Sequence, residues 1–195
     1  MKPRINLPNL LTSFRIILLP VLVVVFYSPF EWRFLGAACI FGLASVTDWL
    51  DGYLARKLGQ MTPFGAFLDP VADKLAVATA LVLLVELHAS AILAIPALVI
   101  VGREIVVSAL REWMAQYSDR RGVAVSFLGK LKTGFQMVAI IVLLLNGDAF
   151  DTTLVLVGYS LLYAAAVLTL WSMYSYLRLA WPDLSSGMVP RNDDQ

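Results

Sequence analysis

Six apolar stretches divide the chain, at roughly residues 10–28, 33–53, 67–86, 90–113, 127–145 and 153–178. Each approaches or exceeds the ~20 apolar residues with which a helix crosses a bilayer. The pattern predicts six membrane-spanning helices and no strands, because lipid offers no partner to an unpaired backbone group. Pro96 and the charged pair Arg103-Glu104 interrupt the apolar character of the fourth stretch. Arg15 lies inside the first stretch and no small-residue cleavage pattern follows it, so that stretch reads as a retained helix rather than a leader. Residues 1–9 mix basic and apolar side chains and suit a short segment lying at the membrane surface.

Composition agrees with this pattern. Of 195 residues, 59% are hydrophobic and 15% charged, with a mean hydropathy of +0.78; soluble domains carry about 25% charged residues. The expectation is one all-α membrane domain over residues 1–180 and a polar tail over 181–195. Six spans place both termini on one side. Lys2, Arg4, Arg56, Lys57, Arg111, Arg120, Arg121, Lys130, Lys132, Arg178 and Arg191 collect on that side, whereas the opposite loops hold Arg33 alone at an edge. An excess of Lys and Arg marks the cytoplasmic face. Cys39 sits in an apolar run and reads as a packed thiol. His88, a lone histidine without cysteine partners, reads as structural rather than a zinc ligand. Tryptophans and tyrosines near the predicted membrane edges, such as Trp113 and Tyr176, fit an interfacial belt.

The chemistry concentrates in residues 48–73. Asp48 and Asp51 are three apart, and Asp69 and Asp73 are four apart, so each pair shares a helix face. If the two helices pack with those faces together, the four carboxylates converge, and their repulsion calls for a cation. Hard divalent cations such as Mg²⁺ or Mn²⁺ prefer such oxygen ligands. The blander alternative makes Asp69 a helix cap with Pro70 at the first helical position and leaves the others solvated at a membrane edge. That alternative does not cover four carboxylates at paired spacings. Ionisable groups within membrane spans are expensive and mark function. Gly52, Ala55, Gly65 and Ala66 leave room for close backbone approach or for a bound group.

The stretch reads D-x2-D-G-x2-A-R-x8-G-x3-D-x3-D from Asp48 to Asp73 without a departure. It resembles the signature of the CDP-alcohol phosphotransferases, integral membrane enzymes of phospholipid synthesis. The segments 6–15, 103–113, 129–133 and 168–173 are similar to a bacterial branch of that family, so the likeness covers nearly the whole chain. The resemblance implies transfer of a phosphatidyl group from CDP-diacylglycerol to an alcohol, with release of CMP. In this branch the alcohol is sn-glycerol 3-phosphate. The resemblance further implies two divalent cations held by Asp48, Asp51 and Asp69, with Asp73 touching the second and serving as general base. Gly52, Arg56 and Thr62 match positions that hold the CDP group, and Asn9 and Thr12, one turn apart, add polar contacts at the cytidine end. Membrane lipids and a second copy of the chain are the partners the family leads one to expect.

An acceptor bearing phosphate requires a second anion site, for which Arg103, Arg111, Lys130 and Lys132 are the candidates. The planar fork of arginine donates two hydrogen bonds to such a group. Lys130 and Lys132 point roughly 200° apart on a helix, so at most one reaches the site. The competing reading for Arg103 is a plain ion pair with Glu104. A cation-coupled transporter is the rival from another class, since membrane carboxylates also mark ion pathways. Repeat-built transporters show two similar halves, and residues 99–178 hold nothing equivalent to the acidic pairs. Within the enzyme reading, serine, inositol phosphate and phosphatidylglycerol are the alternative acceptors.

Overall fold

The computed structural model describes residues 7–58, 62–117 and 127–187. Within these, the side chains of Asp51, Gly52, Arg56 and Lys130 lie outside the described residues, as do most of the predicted surface segment and the end of the tail. Six helices follow one another: α1 (Leu7–Phe26), α2 (Arg33–Leu58), α3 (Pro63–His88), α4 (Ala91–Tyr117), α5 (Phe127–Asn146) and α6 (Thr153–Gly187). Among the described residues there is no strand. The protein is all-α, as the apolar pattern predicts.

Several helices extend beyond their apolar stretches. α6 runs on to Gly187, so the predicted boundary at 181 falls inside a helix. Hydropathy marks where side chains meet lipid, whereas the i→i−4 hydrogen bonds of a helix continue through an interface where polar side chains are solvated. α4 runs unbroken through Pro96. Proline lacks the N–H that would bond the carbonyl of Ile92. Tyr163 of α6 donates its hydroxyl to that carbonyl at 2.9 Å and removes the orphan. At the end of α5, Gly147 adopts φ 53°, a left-handed stop that a side chain would strain and that the Phe34 ring, packed against it, would also block.

The main packings form a closed ring: α1 on α2, α2 on α5, α5 on α6, α6 on α4, α4 on α3, and α3 back on α1. The core between them holds Leu22, Phe41, Leu81, Leu84, Ile140 and Leu143, all fully buried, with Ala37, Ala80 and Ala139 interspersed. In a bilayer the surrounding lipid is as apolar as leucine, so close packing across small residues, rather than escape from water, holds helices together. The outer surface is equally apolar, with Val24, Leu98, Leu156 and Val167 largely exposed. In water such a surface would aggregate, and acyl chains solvate it. α1, α4 and α6 contain stretches long and apolar enough to cross a membrane, and α5 contributes the shorter apolar Leu131–Asn146.

Cys39 faces outward and is exposed, which corrects the expectation of a packed thiol. His88 has a packing role: its ring meets Phe150 and Tyr159 edge-on, and its Nδ1 lies 2.9 Å from the Tyr159 hydroxyl. At the same end of the bundle Tyr27 donates to Glu86, tying α1 to α3.

Candidate active site

The site begins where α1 and α3 start. Thr62 caps α3 from an extended backbone (φ −119°, ψ 150°), and Pro63 occupies the first helical turn. The Thr62 Oγ1 accepts from the Gly65 N–H at 3.0 Å, and its hydroxyl donates to Asn9 Oδ1 at 3.0 Å. A Cβ on Gly65 would overlap that Asn9 oxygen, so glycine permits α1 to approach α3 here. Since the cap is Thr62, Asp69 and Pro70 lie inside α3. Capping therefore does not explain Asp69.

Asn9, Thr12 and Arg15 recur every three residues along α1 and share a face. Thr12 is buried and Arg15 is only 1% exposed. The Arg15 Nη1 donates to Asp48 Oδ1 at 2.6 Å and lies 3.4 Å from Asp69 Oδ1. Asp48 comes from α2 and Asp69 from α3, and both helices pack mainly on α1 rather than on each other. Asp48 of one predicted pair and Asp69 of the other thus come together, while the side chain of Asp51 lies outside the described residues. Asp48 and Asp69 gather around a guanidinium supplied by a third helix. Arg15 is a site residue that the spacing argument missed, although the signal was present: an arginine inside an apolar run, in step with Asn9 and Thr12.

Asp48 and Asp69 keep 37% and 43% of their side-chain surface open, while the guanidinium lies buried. Asp73 is within electrostatic reach of Asp48, Asp69, Arg15 and Glu104. Among the described residues no three acidic or histidine side chains form a ready-made metal cage. This donor set still suits a divalent cation. Among the described residues three carboxylates, Asp48, Asp69 and Asp73, stand around one guanidinium, an excess of negative charge. Mg²⁺ is characteristically bound by one or two carboxylates together with substrate phosphates, rather than in an all-protein cage.

A second, basic cluster joins α4, α5 and α6. The Oε1 of Glu104 accepts from Arg103 Nη1 at 2.9 Å and from Lys132 Nζ at 2.8 Å. Arg103 also donates through Nη2 to Ser172 Oγ at 3.1 Å. Arg103 and Lys132 are both buried. Lys132 joins this cluster, while the side chain of Lys130 lies outside the described residues. Arg111 is exposed, with its guanidinium 5.6 Å from the centre of the Tyr176 ring, and adds positive potential towards Lys132. Of the predicted donor-binding residues, Asn9 and Thr62 meet at the starts of α1 and α3, Thr12 is buried one turn further along α1, and Gly52 and Arg56 are outside the described side chains.

The described residues thus make an all-helical protein with apolar spans, carboxylates gathered where α1, α2 and α3 meet and a basic cluster joining α4, α5 and α6. A family model described as CDP-alcohol phosphatidyltransferase matches residues 5–171. The chain belongs to that family, whose enzymes use divalent metal ions. A protein of Pseudomonas fluorescens named "CDP-diacylglycerol--glycerol-3-phosphate 3-phosphatidyltransferase" is 56% identical over 182 residues, 93% of each chain. Proteins of the same name from Sodalis glossinidius and Salmonella choleraesuis are 51% and 53% identical, over 93% and 92% of this chain and 98% and 97% of theirs.

Proposed function

We propose that the protein transfers the phosphatidyl group of CDP-diacylglycerol to sn-glycerol 3-phosphate, giving phosphatidylglycerophosphate and CMP. The observation that carries this reading is the adjacency of two charge clusters. The part-open carboxylates Asp48 and Asp69 stand on buried Arg15, and Asp73 lies in reach of both that centre and Glu104 of the Arg103–Glu104–Lys132 cluster. One cluster suits a cation-bound pyrophosphate and the other a phosphate monoester. The names of the relatives supply the two substrates.

In this reading Asp48, Asp51 and Asp69 hold two divalent cations, Mg²⁺ or Mn²⁺, with Asp73 also touching the second. Bound there, the cations supply charge neutralisation of the pyrophosphate and stabilisation of the developing negative charge. Asn9, Thr12, Gly52, Arg56 and Thr62 hold the cytidine diphosphate. Thr62 serves first as a cap, with one lone pair of its hydroxyl left for a ligand. Arg103 and Lys132 bind the acceptor phosphate, and Arg111 and Lys130 add positive potential around them. Asp73 accepts the proton of the acceptor hydroxyl as its oxygen bonds to the phosphorus of the phosphatidyl group. The bond from that phosphorus to the bridging oxygen breaks, and CMP leaves with the electron pair. Arg15 keeps Asp48 and Asp69 together between turnovers by offsetting their repulsion.

The test is CMP release by purified protein with CDP-diacylglycerol, Mg²⁺ and one acceptor at a time. Release is expected with sn-glycerol 3-phosphate and not with serine, inositol phosphate or phosphatidylglycerol. Release with one of the others instead would reassign the acceptor. No release with any of them, together with cation flux in proteoliposomes, would favour the transporter.

The same reading has six spans in a bacterial cytoplasmic membrane, with both termini and the site facing the cytoplasm. Its sidedness is checked by labelling single cysteines. Cys39 is exposed, so it is first replaced by Cys39→Ser. In that background Arg120→Cys is expected to react from the cytoplasm and Asp148→Cys from the opposite face. Reaction of both from one face would mean a different number of spans.

A further inference from the structure

Arg103 is held at two of its three nitrogens. Glu104 Oε1 takes Nη1 at 2.9 Å, and Ser172 Oγ takes Nη2 at 3.1 Å. These contacts come from different helices, α4 and α6, and together they fix the plane of the guanidinium. The remaining nitrogen, Nε, is buried and has no hydrogen-bond partner among the described residues. Arg103 as a whole is 8% exposed. A buried donor without a partner is rare and destabilising, and it calls for an oxygen from a ligand or water. Nε and Nη2 lie on one edge of the planar fork, the edge that takes two oxygens of a phosphate in parallel. With Nη1 committed to Glu104, that edge is the one left to a ligand.

We propose that Ser172 is the positioning residue of the acceptor site, holding Arg103 so that its Nε/Nη2 edge receives the phosphate monoester of the acceptor. The proposal rests on the reading of Arg103 as an acceptor residue. Glu104 alone would leave the guanidinium free to pivot about Nη1. The Ser172 hydroxyl oxygen, accepting from Nη2, stops that rotation from the α6 side. Lys132, bonded to the same Glu104 oxygen, places a second positive charge beside the fork.

The experiment measures KM for each substrate in purified Ser172→Val, Ser172→Thr, Arg103→Ala and the double variant Arg103→Ala/Ser172→Val. Threonine and valine have nearly the same shape and differ by the hydroxyl, so the pair separates hydrogen bonding from helix packing. Arg103→Ala is expected to raise KM for sn-glycerol 3-phosphate by about ten- to a hundredfold. Ser172→Val is expected to raise it by about three- to tenfold, with Ser172→Thr restoring most of the loss and KM for CDP-diacylglycerol following neither. In the Arg103→Ala background, Ser172→Val should add nothing, because the residue acts through the guanidinium. Equal acceptor KM for the valine and threonine variants, or the same factor with and without Arg103, would overturn the positioning role and leave the acceptor reading of Arg103 intact. If Arg103→Ala impaired only CDP-diacylglycerol binding, that acceptor reading would fall, and the role of Ser172 with it.

Discussion

Replacing Asp73 by asparagine is expected to lower turnover by about 10²- to 10⁴-fold, the usual worth of general base help, while CDP-diacylglycerol still binds. Asparagine keeps the size of the side chain and one oxygen, but it cannot take a proton at neutral pH. The position of Asp73 is the reason to single it out. It is within electrostatic reach of Asp48 and Asp69 on one side and of Glu104 on the other, so it lies where a donor on the acidic centre and an acceptor on the basic cluster would meet. Single-turnover CMP release and titration of CDP-diacylglycerol binding separate the two effects. Near-normal turnover in Asp73→Asn would move the base elsewhere, with Glu104 the next carboxylate in reach.

The second large effect is expected at the metal ligands. Asp48→Asn, and likewise Asp51→Asn or Asp69→Asn, abolishes transfer and weakens divalent cation binding while the protein stays folded in detergent. Removing one partner of a buried ion pair ordinarily costs about 3–5 kcal/mol, because the other charge is stranded. Among the described residues Arg15 bridges Asp48 and Asp69, and loss of Asp48 leaves Asp69 in place. The fold is therefore buffered where the chemistry is not. Mn²⁺ binding followed by electron paramagnetic resonance, with thermal unfolding measured alongside, tests both halves. A fully active Asp48→Asn variant would end the two-cation mechanism. A variant that unfolds would show that Asp69 does not hold Arg15 alone.

The two clusters differ in how much of each could be read in advance. The aspartates were legible because their spacing is local: three or four residues along a helix set a common face whatever surrounds it. Their partner was not, because Arg15 reaches Asp48 and Asp69 across 33 and 54 residues of chain. At the basic cluster the sequence offered four cations. The fold unites Arg103 and Lys132 on Glu104, while Arg111 lies over Tyr176. The ion pair once set against a functional role for Arg103 turns out to be part of the cluster itself. It leaves one edge of the guanidinium for a ligand.

The sequence by itself determined the helical class, the positions of six helices to within a few residues at most of their ends, and the acidic signature, because each depends on local quantities. A helix closes its hydrogen bonds four residues away, and residence in a bilayer depends on the apolar length of each segment. Only the tertiary structure decided that α1 stands between α2 and α3 with Arg15 at the junction, that Tyr163 keeps α4 whole at Pro96, and that Cys39 faces outward. The physical reason is that lipid and protein core are both apolar. Hydropathy therefore tells which segments leave water, but not which face of a helix turns inward. That choice falls to side-chain packing and to hydrogen bonds between helices distant in sequence.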